Sequence, residues 1–160
     1  MGDIMKEIVE KLIKMNKTIS TMESCTGGAL ASEITNIDGS SQIFKFGAVT
    51  YSNEFKIKIG VDKDIIDKYS VYSEETAICM AKSIVDFTNS DYGIGITGKL
   101  NRVDINNLFG DNNVVYISIY EKENSKIYTF SKKITKKNRK DNKEEIIDFV
   151  KIKLNEILKY

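Results

Sequence analysis

Residues 18–34 read TISTMESCTGGALASEI, and this stretch decides the fold class of the chain. Residues 18–22 are short and β-branched, which predicts a strand. Residues 26–28 form a glycine-bearing turn, and residues 29–34 then predict a helix. A strand that passes through such a turn into a helix is the opening of an α/β unit, so the segment predicts an α/β fold.

The sequence on either side extends this pattern. Further helices are predicted at residues 3–16, 53–59, 62–69 and 73–87, and from residue 138 or 141 to the end. Further strands are predicted at residues 45–51 and 92–97, and residues 114–120 and 126–134 predict a hairpin. This alternation predicts a single domain, residues 1–160, with a three-layer α/β/α architecture around a mixed, mostly five-stranded sheet.

The composition is that of an ordinary globular protein. The 160 residues are 41% hydrophobic and carry a formal net charge of +1, so no overall charge favours nucleic acid or a membrane surface. The charged N-terminus lacks the apolar core of a signal peptide, and no apolar run is long enough to span a bilayer. We therefore expect a cytoplasmic protein.

The chain contains no histidine, and its two cysteines, Cys25 and Cys79, are not in a CxxC arrangement. A zinc site would then need cysteines and carboxylates alone, so neither a metal nor another cofactor is predicted. Cys25 could be a nucleophile at a helix start or a small packing thiol, and the missing histidine partner favours the packing thiol. Cys79 is predicted to lie in the core.

The absence of histidine also means that an activated hydroxyl must give its proton to a lysine or a carboxylate. Ser41, Tyr51 and Lys56 lie within sixteen positions of one another and could form a Ser–Lys set, with the tyrosine relaying the proton. A helix cap, a strand residue and a solvated charge would explain the same three residues. The spacing alone favours that second interpretation.

Two further segments have alternative interpretations. The Thr26-Gly27-Gly28 turn could offer backbone N–H groups to a phosphate, or it could be only a tight connection between strand and helix. Residues 132–140 are rich in lysine and arginine and could contact nucleic acid. A solvated strand end that leads into a helix is the favoured explanation of this basic run.

Five motifs in this order resemble one known family: ESCTGG at residues 23–28, DGSS at 38–41, GAVTYSNEFK at 47–56, VYSEETA at 71–77 and YGIGITG at 92–98. Together they resemble the C-terminal domain of the CinA (competence/damage-inducible) proteins. Stand-alone members of that family hydrolyse the carboxamide of nicotinamide mononucleotide (NMN) without a metal, giving nicotinic acid mononucleotide and ammonia. The resemblance implies the same reaction here, and a homodimer or higher homo-oligomer.

The resemblance also implies roles for particular residues. Ser41 is expected to be the nucleophile, Tyr51 and Lys56 would activate it, and Ser24 would assist in the same pocket. The nucleotide is expected to be bound by residues of the ESCTGG loop, the DGSS turn, the TYSNE segment and the end of the YGIGITG strand: Glu23, Thr26, Gly27, Gly28, Ser40, Asn53, Thr97 and Gly98.

The sequence departs from the family pattern after Gly98. Family members continue with I-A-G-P, whereas this chain has Lys99 and Leu100 there, and residues 99–113 read KLNRVDINNLFGDNN. Lys99 or Arg102 could contact a phosphate at this point. Two hypotheses follow: an amidohydrolase of the family type, or a catalytically silent nucleotide-binding or interaction module that has lost the substrate loop.

Overall fold

The computed structural model describes residues 3–100 and 113–158. Its strands are β1 Ile19–Glu23, β2 Phe44–Val49, β3 Tyr92–Gly98, β4 Val114–Glu121 and β5 Lys126–Lys133. Its helices are α1 Ile4–Met15, α2 Ala29–Thr35, α3 Asn53–Ile59, α4 Lys63–Tyr69, α5 Glu74–Thr88 and α6 Arg139–Ile157, and a 3-10 turn covers Ser40–Gln42.

The described strands form one five-stranded sheet in the order β2-β1-β3-β4-β5. β1 lies between β2 and β3 and is parallel to both. β4 is antiparallel to β3, and β5 is antiparallel to β4. The prediction of an α/β fold with a mixed, five-stranded sheet is therefore confirmed, and the predicted hairpin is the β4–β5 pair.

Helices cover both faces of the sheet and give two apolar layers. The larger layer joins α1, α2 and α6 to the sheet and includes Leu12, Ile94 and Ile146. The smaller layer lies under α3, α4 and α5 and includes Met22 and Met80. Because successive side chains of a strand point to opposite faces, β1 contributes to both layers, with Ile19 in the larger and Met22 in the smaller.

Serine side chains cap the starts of two helices. Ser52 accepts a hydrogen bond from the backbone N–H of Phe55 and begins α3, and Ser73 accepts one from Thr76 and begins α5. The DGSS turn does not use Ser41 as the helix cap that its spacing favours. There Gly39, at φ +86°, stands at the cap position, and Ser40 is already the first residue of the 3-10 turn.

Two glycines of β3 allow α5 to lie unusually close to the sheet. A Cβ atom on Gly93 would lie 2.3 Å from the carbonyl oxygen of Ala81, and one on Gly95 would lie 2.4 Å from that of Ala77. Neither backbone oxygen can move without displacing the helix. The YGIGIT pattern of β3 therefore determines the spacing between β3 and α5.

We expect the Gly95→Ala substitution to destabilise the protein by about 1–3 kcal/mol, since the added methyl group must push α5 away from the sheet. Urea unfolding followed by circular dichroism would measure the change. Ser118→Ala is the matched control, because Ser118 pairs with Gly95 across the sheet and its buried hydroxyl has no hydrogen-bond partner among the described residues. Equal losses of stability in the two variants would contradict the proposed close contact.

Candidate functional site

The carboxyl ends of β1, β2 and β3 lie at one edge of the sheet, because these three strands are parallel. Ligands of α/β proteins bind at this edge. Ser24 follows β1 directly, and its backbone N–H donates to the carbonyl oxygen of Ile96 on β3 at 3.0 Å. Thr50 follows β2 and donates its backbone N–H to the carbonyl oxygen of Glu23 at 2.9 Å. The ends of the three strands are therefore held together at the backbone.

Lys56 brings a buried amine to this edge. It lies one turn into α3, and its side chain is almost completely buried, at 1% relative exposure. Its Nζ lies 3.0 Å from Ser24 Oγ and donates to the carbonyl oxygen of Thr50 at 2.7 Å. Ser24 is also buried. The structure thus places a serine hydroxyl in direct contact with a buried lysine amine.

The Glu23 side chain points to the other face of the sheet. One carboxylate oxygen accepts from Thr26 Oγ1 at 2.7 Å and from the backbone N–H of Leu30 at 2.9 Å, and the other accepts from the N–H of Ala31 at 3.0 Å. Glu23 is buried and supplies the negative charge that the start of α2 attracts.

The predicted phosphate cradle at residues 26–28 is therefore not available in the form expected. The N–H groups of Leu30 and Ala31, which a phosphate would need at this helix start, are already bound by the Glu23 carboxylate. Gly27 and Gly28 adopt left-handed conformations, at φ +59° and +95°, that glycine allows without strain. The interpretation as a tight connection from strand to helix fits this geometry.

Ser41 lies at the opposite edge of the sheet. It is exposed within the 3-10 turn that precedes β2, next to Ile43, whose carbonyl oxygen accepts from the N–H of Ile19 at the start of β1. The whole of β2 separates this turn from the Lys56 end, about 20 Å at about 3.3 Å per residue. Within one chain, Ser41 and its neighbour Ser40 are therefore not brought to Lys56, and Ser24 is the hydroxyl that contacts the amine.

Tyr51 lies at the Lys56 edge but faces solvent. The residue is 65% exposed, and its hydroxyl accepts a hydrogen bond from Arg139 Nη2 at 3.1 Å. Asn53 is the first residue of α3 and is partly exposed. The Tyr51 hydroxyl is therefore hydrogen-bonded to Arg139 rather than to Ser24 or Lys56.

The end of β3 completes this edge of the sheet. Thr97 is fully buried and donates its hydroxyl to the carbonyl oxygen of Val71 at 2.9 Å. Gly98 pairs with Val115 of β4, and a Cβ at Gly98 would lie 2.6 Å from the Cα of that residue. Thr97 is opposite Ser24 when the register of β1 and β3 is continued by one residue. Residues 101–112 lie outside the described residues. They include Arg102 and most of the segment that stands where the family has its substrate loop.

The sequence did not single out two basic side chains of α6 that reach this region. Arg139 contacts Tyr51, and Lys143 Nζ lies 3.3 Å from the position that a Cβ on Gly27 would occupy. Arg139 belongs to the basic run at residues 132–140, and through Tyr51 it contacts the edge of the sheet where Lys56 lies. Tyr51 and Arg139 are 88 positions apart in the chain, and no local pattern could have joined them.

Cys25 does not have the environment of a nucleophilic thiolate. It is buried in the larger apolar layer, and burial raises the pKa of its thiol to about 12. The interpretation as a packing thiol fits this environment. Cys79 is only partly buried, at the border of the smaller layer, where its sulfur accepts from the N–H of Asp62 at 3.4 Å.

The chain matches the CinA C-terminal domain family over residues 2–158. It belongs to that family. A CinA-like protein of Kosmotoga olearia is 49% identical over 96 residues, which are 59% of this chain and 23% of that protein. The chain thus spans less than a quarter of the length of this relative.

Solved structures of the same superfamily share the fold. A competence or damage-inducible protein of Enterobacter asburiae is 25% identical, with a TM-score of 0.87 over 98% of this chain and 96% of that one. A CinA superfamily protein of Klebsiella pneumoniae is 22% identical, with a TM-score of 0.88 over 97% and 95% of the two chains. None of the helices within residues 3–100 and 113–158 is long and apolar enough to cross a membrane.

The raised pKa of Cys25 predicts slow alkylation of the native protein. In a Cys79→Ala background, the rate with iodoacetamide at pH 7 should be far below that of the unfolded chain, and it should still be rising with pH at about pH 10, because the thiolate is the reactive form. Mass spectrometry of timed samples would measure it. A rate that levels off between about pH 7 and 8 would show a thiol with an ordinary or lowered pKa.

Proposed function

We propose that this protein is a metal-independent amidohydrolase that converts NMN to nicotinic acid mononucleotide and ammonia. The observation that carries the proposal is the 3.0 Å contact between Lys56 Nζ and Ser24 Oγ at the carboxyl edge of the sheet. A serine beside a lysine base is a known solution for attack on an amide when histidine is not used. Membership of the CinA C-terminal domain family supports the choice of substrate.

The proposed roles differ from those expected from the sequence. Ser24 replaces Ser41 as the nucleophile, because Ser24 is the serine in contact with Lys56. Lys56 remains the base. Tyr51 and Arg139, which are hydrogen-bonded to each other at the exposed side of this edge, are proposed to contact the nucleotide.

The reaction follows in two steps. Ser24 Oγ attacks the carbonyl carbon of the carboxamide while its proton passes to the Lys56 amine. The tetrahedral intermediate expels ammonia, which takes the proton from Lys56, and leaves an ester on Ser24. Water then attacks the ester, giving its proton to Lys56, and the carboxylic acid leaves as Ser24 regains its proton. Every proton that moves is taken up or released at Lys56 Nζ.

The geometry suits a lysine that acts as a base. Lys56 Nζ donates to both the Ser24 hydroxyl and the Thr50 carbonyl in the structure. Once neutral, the amine has two N–H donors and one lone pair, so it can keep the bond to Thr50 and accept the proton of Ser24 instead. The amine must be neutral to act as a base, and burial favours that form over the ammonium form.

Replacing each of the two candidate serines by alanine tests which of them is the nucleophile. We expect Ser24→Ala to lower the rate of ammonia release from NMN by about a thousandfold or more, as loss of a nucleophile does in other hydrolases. Ser41→Ala is the matched control and should stay within about twofold of the unmodified protein, since surface changes away from a site have small effects. Chromatography of nicotinic acid mononucleotide would confirm the product.

The opposite result would return the nucleophile to Ser41, which would then have to reach Lys56 from another copy of the chain. A folded wild-type protein that binds NMN in a thermal-shift assay without releasing ammonia would refute the proposal. That outcome would support the second hypothesis, a silent nucleotide-binding module.

The role of Lys56 predicts a pH dependence. A base must be unprotonated, so kcat should increase as the pH rises through the pKa of Lys56 and then level off. Lys56→Arg should be inactive at every pH, because a guanidinium does not lose its proton. With the chemical step shown to limit the rate, a flat profile between about pH 6 and 9 would be evidence against lysine as the base.

A further inference from the structure

We propose that Lys99 binds the phosphate of the substrate and so restricts this site to amides that also carry an anionic group. The inference rests on the proposed function and extends it, because it concerns the end of the substrate that does not react. It depends on three properties of Lys99: its burial, its partners and its place on the sheet.

Lys99 is a buried cation. It follows β3 directly and is 4% exposed, although lysine is rarely buried unless it is paired. Within residues 3–100 and 113–158, no salt bridge involves Lys99. Its Nζ lies 4.8 Å from the centroid of the Tyr72 ring. A ring face offsets part of the cost of burying an ammonium group, and an anion would offset more of it.

Lys99 lies on the same face of the sheet as Ser24. Along β3, Gly93 and Gly95 approach α5, and Thr97 contacts Val71 on the same side, so the alternation of side chains continues through Lys99. The Tyr72 contact agrees with this direction. On β1, Met22 belongs to the layer under α5, and Ser24 is two residues beyond it.

The register of β1 and β3 gives the separation of the two groups. Glu23 pairs with Ile96, so Ser24 is opposite Thr97, and Lys99 is two residues further along its strand. With strands about 4.8 Å apart and a rise of about 3.3 Å per residue, the backbones of Ser24 and Lys99 are about 8 Å apart. A mononucleotide has its amide and its phosphate at opposite ends of a ribose, and it needs two such separated subsites.

The chemistry of Lys99 suits a phosphate. Its ammonium group is a compact charge with three donors, and charge-assisted hydrogen bonds to phosphate oxygens are strong. Arg139 and Lys143 belong to α6, which packs on the opposite face of the sheet. Arg139 already donates to the Tyr51 hydroxyl. Lys99 is therefore a second buried lysine on the Ser24 face, in addition to Lys56, and its position leaves it to bind the anionic end of the substrate.

The test compares substrates with and without the phosphate. For Lys99→Met, the KM for NMN should rise about tenfold or more, the usual effect of losing one charge-assisted hydrogen bond. The kcat should change much less. For nicotinamide riboside, which lacks the phosphate, the variant and the wild type should have the same kcat/KM within about twofold. Lys99→Arg keeps the charge and should restore part of the lost affinity.

Lys82→Met is the matched control. Lys82 also lies over a tyrosine ring, 5.8 Å from the centroid of Tyr120, but it is exposed on α5. This variant should leave the KM for both substrates unchanged. If Lys99→Met raises KM equally for the two substrates, or lowers only the melting temperature, Lys99 has a structural role and the inference is wrong. Lys99→Gln provides a second neutral variant if the methionine variant does not fold.

A binding measurement separates this inference from the proposed function. Calorimetry with NMN on the Ser24→Ala protein, with and without Lys99→Met, does not require turnover. Loss of about tenfold or more in affinity on removing Lys99, with inorganic phosphate competing only when Lys99 is present, would support the anion site even if the wild type is inactive. Equal affinity in the two proteins would overturn it even if the wild type is an active amidase.

Discussion

The candidate site depends on one constraint, the burial of the Lys56 amine between the Ser24 hydroxyl and the Thr50 carbonyl. An amine in that position is costly, because burial disfavours its charged form. Two parallel strands end beside the amine, and the groups that follow them offset this cost. Ser24, after β1, supplies a hydroxyl, and Thr50, after β2, supplies a carbonyl oxygen. The Ser52 cap then begins α3 at the position that directs Lys56 inward.

The alternation of side chains along β1 separates two chemical tasks that adjacent residues perform. Glu23 points to α2, where its carboxylate binds Thr26 and the start of the helix, and Ser24 points to Lys56. A carboxylate in contact with the amine would favour the ammonium form and oppose its use as a base. Placing Glu23 on the opposite face keeps its charge engaged elsewhere while it fixes the turn that follows Ser24.

Much of the fold could be predicted because its signals are local. The strand, turn and helix of residues 18–34 and the capping serines at 52 and 73 are all visible in short stretches of sequence. Lys56 was singled out for the same reason. Its contact with Ser24 rather than with Ser41 could not be predicted from spacing, since Ser41 is close to Lys56 along the chain while β2 carries it to the far edge of the sheet. Arg139 needed the folded chain to bring α6 back to Tyr51.

Two buried lysines at one edge of the sheet have environments that suit opposite tasks. Lys56 contacts a hydroxyl and a carbonyl, so its lone pair can be offered to a proton. Lys99 contacts the face of an aromatic ring, which attracts a cation and offers no acceptor for a hydrogen-bonded proton relay.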